Sequence, residues 1–116
     1  MGSPESPRQI ESGPNYWLLR IPSSLDIQTS EVAEKEVKQV DVSARRCLIV
    51  DMSECAFVSS SGIRFLVVAS KQFRTAGGEM VLAGVRKSVR DLLSICGLGK
   101  MFPTHDSVDE IGRAHV

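Results

Sequence analysis

Apolar residues fall in short blocks whose spacing changes along the chain. Tyr16-Trp17-Leu18-Leu19-Arg20-Ile21 is an aromatic and aliphatic run stopped by Pro22, the composition of a strand that ends in a turn. From Ser30 to about Ser43 the apolar positions Ala33, Val37 and Val40 recur at helical spacing among Glu and Lys, which predicts an amphipathic helix with one buried stripe. Cys47-Leu48-Ile49-Val50 is continuous and apolar and ends at Asp51, as suits a central strand covered on both faces. A polar, serine-rich loop follows from Asp51 to Gly62. Ile63, Leu66, Val67 and Phe73 then mark a second helix that stops at Ala76-Gly77-Gly78, where glycine supplies a left-handed terminal turn.

Met80 to Ala83 predicts the next strand. Ser88 followed three residues later by Asp91 has the form of a capping box, and Val89, Leu92, Leu93 and Cys96 fall at i, i+3, i+4 and i+7 before Gly97. A brief extended piece is expected near Lys100 to Phe102, ahead of Pro103, and Ser107 with Glu110 is expected to start a short last helix carrying Val108 and Ile111. The order β-α-β-α-β-α implies an α/β fold with parallel central strands and helices shielding the sheet. In such sheets functional loops gather at the carboxyl ends of the strands, which singles out Asp51 to Gly62.

Composition narrows the picture. At 116 residues the chain fits one domain, since single domains commonly run to about 100–150 residues. An apolar fraction of 42% with 24% charged residues is that of a folded core, not of a disordered chain. Lys plus Arg and Asp plus Glu both number 14, so no bulk positive field draws the chain to nucleic acid or an anionic membrane. No run approaches the roughly 18 apolar residues of a membrane span, and no signal pattern opens the chain, so a cytoplasmic protein is expected. Residues 1–14, rich in Ser, Pro, Gly and Glu, read as a flexible leader, with the domain over 15–116.

Cys47, Cys55 and Cys96 show no C-x-x-C spacing, and His105 and His115 lie far from them in sequence, so neither metal nor other cofactor is expected. Cys47 opens an apolar run and Cys96 falls on an apolar stripe, so both read as small buried hydrophobes; Cys55, in the loop, is left open.

The loop carries a family resemblance. Asp51-Met52-Ser53-Glu54-Cys55-Ala56-Phe57-Val58-Ser59-Ser60-Ser61-Gly62-Ile63 resembles the signature of STAS domains, in which a strand ends in D-x-S, a few residues lead to Phe, and Ser-Ser-Gly or Ser-Thr-Gly opens a helix. Leu25-Asp26 sits where the family has Leu-Asp before its first helix, Gly77-Gly78-Glu79-Met80 resembles its G-G-x turn into a strand, and Val89 to Phe102 resembles its L-x-x-x-G-L ending. The resemblance runs from Tyr16 to the C-terminus. It implies a four- or five-stranded mixed sheet flanked by helices, and a protein-binding switch instead of an enzyme.

In the anti-sigma factor antagonist branch, the resemblance implies that Ser60 accepts phosphate from a partner anti-sigma factor that is also a serine kinase, with a serine phosphatase as the reversing partner. Asp26, Ser59, Ser61, Gly62 and Arg64 are the expected partner-binding residues. That branch usually carries Asp immediately before the phosphorylated Ser, and this chain has Ser59 there. Serines also precede helices simply as caps, a role open to Ser59 or Ser61. The other reading within the family is a non-phosphorylated interaction module in a stress-signalling scaffold or a transporter complex. A serine hydrolase is disfavoured because the chain has no G-x-S-x-G elbow and its two histidines lie in the C-terminal segment. The phosphate-loop pattern G-x-x-x-x-G-K-[ST] is absent as well.

Overall fold

The computed structural model describes residues 10–109 and 111. In chain order the elements are β1 (Glu11–Ser12), β2 (Tyr16–Arg20), β3 (Ser24–Leu25), α1 (Ile27–Lys38), β4 (Cys47–Asp51), β5 (Phe57–Val58), α2 (Ser60–Thr75), β6 (Glu79–Ala83), α3 (Lys87–Ile95) and β7 (Thr104–His105). Five strands form a mixed sheet in the order β1-β2-β4-β6-β7, while β3 and β5 pair separately. Among the described residues only β1 is antiparallel to its neighbour; β2, β4, β6 and β7 run parallel, with Leu18 opposite Ile49 and Ile49 opposite Val81. The expected α/β architecture and the three principal strands are all present.

Alternation along the central strands divides the core. Leu48 and Val50 of β4 join Leu19, Met80 and Leu82 on the face covered by Ala33 and Val37 of α1, Phe65, Leu66, Ala69 and Phe73 of α2, and Val89 and Leu93 of α3. Cys47 and Ile49 turn to the other face with Leu18, Val81 and Ala83, where Ile111 and Val108 cover them. Both faces of β4 are therefore dry, which explains its unbroken apolar run. Helix α2 ends in a Schellman turn: the Gly78 N–H donates to the Phe73 carbonyl at 2.7 Å and the Gly77 N–H to that of Arg74 at 3.0 Å, with Gly77 at φ +85°.

Several boundaries differ from expectation. Helix α1 begins at Ile27, not Ser30, and ends at Lys38, leaving Val40 half-buried beyond it. The early start comes from Asp26, which caps the helix together with Thr29 instead of the more familiar Glu or Gln. The Ser88–Asp91 box does not form, because α3 starts one residue ahead of Ser88 with Arg86 as an N-cap whose side chain makes no capping bond and instead donates from Nε to the Ser53 carbonyl at 3.0 Å, and Asp91 faces Lys87 at 3.8 Å. Residues 100–102 turn, and the extended piece is Thr104–His105, where Pro103 contributes only its carbonyl to the Leu82 N–H at 2.9 Å.

Strand β1 lies within the segment assigned to a leader, of which residues 1–9 are outside the described residues. Its two residues are exposed and are held by backbone pairing, by the Glu11–Arg20 ion pair at 2.9 Å, and by a bond from the Arg45 Nε to the Gly13 carbonyl at 2.7 Å. Such an edge leaves no apolar signature. Residues 108, 109 and 111 are helical, as expected for the last helix, whereas Glu110 is outside the described residues.

Candidate functional site

The small β3–β5 pair sets the site by bringing two helix beginnings side by side. Its parallel register places Leu25, which precedes α1, against Val58, which precedes α2. The Leu25 carbonyl then accepts the Ser59 backbone N–H at 2.9 Å and the Ser59 hydroxyl at 3.3 Å. One residue on, the Asp26 Oδ1 accepts the N–H groups of Gln28 and Thr29, each at 3.0 Å, while the Asp26 N–H donates to the Thr29 hydroxyl at 2.8 Å. These bonds, first among them the Thr29 N–H, hold the Asp26 carboxyl below its ordinary value of 3.8. Asp26 is thus the cap of α1 at the edge of the site.

The three serines do different work. Ser59 is the N-cap of α2 in extended backbone geometry, and its Oγ accepts the Gly62 N–H at 3.2 Å. Ser60 follows as the first helical residue, exposed, with no hydrogen bond to its side chain among the described residues. Ser61 is half-buried and turns toward the crevice between α1 and α2. Gly62 is buried beneath the Leu25 carbonyl and Val58, so it sets how closely α2 approaches β3. The structural duty of the serine cluster falls on Ser59, and Ser60 presents a hydroxyl that the fold does not use.

A groove of about 220 Å³ runs between α1 and α2 beside these serines, lined by Ile27, Ser30, Glu31, Ser61, Arg64 and Val68 among others. The buried Ser30 Oγ finds no hydrogen-bond partner within the described residues. Large apolar side chains line the groove at the surface, Ile27 at 63% exposure and Val68 at 39%, and Phe57, three residues before Ser60 in the chain, is 58% exposed. Those values matter because a folded chain of this size has ample core to bury them in, and exposed apolar area beside a polar rim is the composition of a contact surface. Sequence reasoning missed Ile27 and Phe57 as surface residues. The available signal was that Ile27 lies off the Ala33–Val37 stripe.

Behind the site, the Asp51 Oδ1 accepts the Ser53 N–H at 3.0 Å and tightens the first turn of the loop. Cys55 is buried with its thiol on the Phe57 carbonyl at 3.2 Å, and Cys47 is buried in the sheet, as expected for the latter. Cys96 is exposed, contrary to the expectation of burial, because α3 ends at Ile95 and the chain turns away from the core there. Burial, with the Glu79 charge, pushes the Cys47 thiol up to about 11, and burial also raises Cys55. A raised value means less thiolate at neutral pH, so a thiol reagent should label Cys96 rapidly and the other two only on unfolding. Cys96→Ser should abolish the fast phase; rapid labelling of two or three thiols would contradict this packing.

Comparison with known proteins follows the same lines. A family model described as the STAS domain matches residues 8–111. A Bordetella bronchiseptica relative named as an anti-sigma factor antagonist, BtrV, is 35% identical over 76 residues, covering 66% of this chain and 65% of its own. The Anti-sigma F factor antagonist of Paenibacillus polymyxa is 27% identical over 101 residues, covering 85% and 86% respectively. The chain therefore spans just under two thirds of the first relative and most of the second. Among solved structures, the Bacillus cell fate determinant SpoIIAA in its phosphorylated form superposes with a TM-score of 0.71 at 18% identity, over 91% of this chain and 97% of that one. At that identity the likeness is one of fold.

Proposed function

The chain belongs to the STAS domain family, and from that membership we propose that it is an anti-sigma factor antagonist switched by phosphorylation at Ser60. It binds an anti-sigma factor that is also a serine kinase and so frees a sigma factor. The names of both relatives support this role. The observation that carries the switch is the division between Ser59, spent on the cap, and Ser60, exposed on the first turn of α2. Modification of Ser60 leaves the cap in place, so the fold survives the event that changes its surface.

In the transfer, the Ser60 Oγ–P bond forms as the bond from the γ-phosphorus of ATP to its bridging oxygen breaks; ADP leaves and the hydroxyl proton passes to a base of the kinase. The product carries about −1.5 to −2 charges beside a groove on which Ile27 and Val68 are exposed. Desolvating that charge without a matching cation on the partner opposes docking. Ser59, Ser61 and Arg64 flank the modified residue, and Asp26 and Gly62 hold its frame. A serine phosphatase reverses the switch.

Pull-down from the native cell with wild type, Ser60→Ala and Ser60→Asp, followed by mass spectrometry, identifies the partner and the modified peptide. Titrating that kinase with unmodified, phosphorylated and Ser60→Ala protein then tests the switch. Ser60→Ala should dock as the wild type does and resist modification, giving constitutive antagonism. Phosphorylation should weaken docking by at least about 1.4 kcal/mol, tenfold in Kd. Equal affinity for all three forms would overturn Ser60 as the switch and favour a non-phosphorylated interaction module, while phosphate only on Ser59 or Ser61 would move the switch to another serine of the loop.

A further inference from the structure

Arg64 follows Ser60 by four residues on α2. On a helix, side chains four apart share a face, with Cβ atoms roughly 5–6 Å apart. Among the described residues Arg64 has no ion-pair partner, in contrast to Arg20 with Glu11 and Asp51, Lys38 with Glu34, and Lys87 with Asp91. Glu31 and Glu34 line the same groove but do not pair with it, and Glu34 is already held by Lys38 at 3.2 Å. No acidic side chain occupies the first turn of α2. The position one helical turn after the exposed serine is therefore filled by a guanidinium that no carboxylate restrains.

We propose that Arg64 is the intramolecular partner of the Ser60 phosphate, swinging from the α1–α2 groove onto the modified serine. This rests on Ser60 being the modified residue. A guanidinium presents a rigid fork of donors that matches two phosphate oxygens at once, and arginine one turn after the phosphoserine brings that fork within reach without a change in backbone. The switch then has two parts. The surface gains a phosphate, and the groove loses its arginine, so a partner carboxylate placed to meet Arg64 meets a phosphate instead.

The pair is testable without any kinase. Phosphoserine is installed at position 60 of the full chain during translation, and its second ionisation, near pH 6 in a free phosphoserine, is followed by phosphorus NMR. Arg64 should hold that value at least about 0.3 pH unit below the value in Arg64→Gln, a twofold difference in the acid constant. Arg64→Lys should fall between them, since an ammonium supplies charge without the fork. Lys71→Gln removes the same charge further along α2 and should leave the wild-type value. Identical values in wild type and Arg64→Gln, or an equal shift in Lys71→Gln, would overturn the pair. Because the phosphoserine is installed during translation, that failure is separate from a failure of the kinase to modify Ser60, which the titration above detects.

Discussion

Gly62→Ala is expected to destabilise the domain and to impair docking together. A Cβ at Gly62 would lie 2.4 Å from the Leu25 carbonyl oxygen, 2.8 Å from the Val58 Cγ1 and 3.0 Å from the Leu25 Cγ. The first of these is backbone, so no rotamer change relieves it. Leu25 or α2 must move. The same carbonyl accepts both the N–H and the hydroxyl of Ser59, so a shift there loosens the cap on which the position of Ser60 depends. Overpacking of this kind costs about 1–3 kcal/mol, and in a domain of this size each kcal/mol lowers Tm by about 4–8 °C. Gly99→Ala is the control, because its Cβ would come no nearer than 3.5 Å to Ser94. A thermal melt in which the two variants match would show that the close approach of α2 to β3 does not hold the site together.

How much of this could be read from the sequence depended on whether packing or local chemistry set each feature. Leu48 to Val50 announced a central strand because burial on both faces demands an unbroken apolar run. Gly77 announced the end of α2 because few other residues accept its backbone conformation. By contrast, β3 and β5 are two residues each and rest on backbone pairing, so Ser24 and Phe57 gave no periodic signal. Asp26 was legible as a turn residue or N-cap ahead of the first helix, but its reciprocal box with Thr29 was hidden because Thr at the third position is uncommon and Ile27 beside it is exposed. The serine cluster was legible as a helix start, and the family resemblance selected Ser60. Assigning the cap to Ser59 needed the geometry, since three adjacent serines satisfy the same local rule until one of them meets Leu25.

Helix α3 offers the sharpest test of that distinction, because its sequence names four apolar positions and its structure uses them unequally. Val89 and Leu93 are buried, at 1% and 4% exposure, in the main cluster beneath the sheet. Leu92 is half-buried at the edge of that cluster, while Ile95, off the stripe, is 83% exposed. The stripe breaks down at Cys96 because the helix is only nine residues long and Cys96 is its cap, after which Gly97 reverses the chain. Leu93→Ala should therefore cost about 2–5 kcal/mol, the transfer of a buried side chain plus the cavity left behind. Leu92→Ala should cost about 1 kcal/mol, because solvent or a neighbouring side chain can occupy the vacated rim. Urea unfolding of both variants, with slopes unchanged from wild type so that midpoints report stability, decides the matter. If Leu92→Ala proves the costlier of the two, α3 is rotated by about one residue, some 100°, about its axis, and the Leu93 face is not the one that meets the sheet.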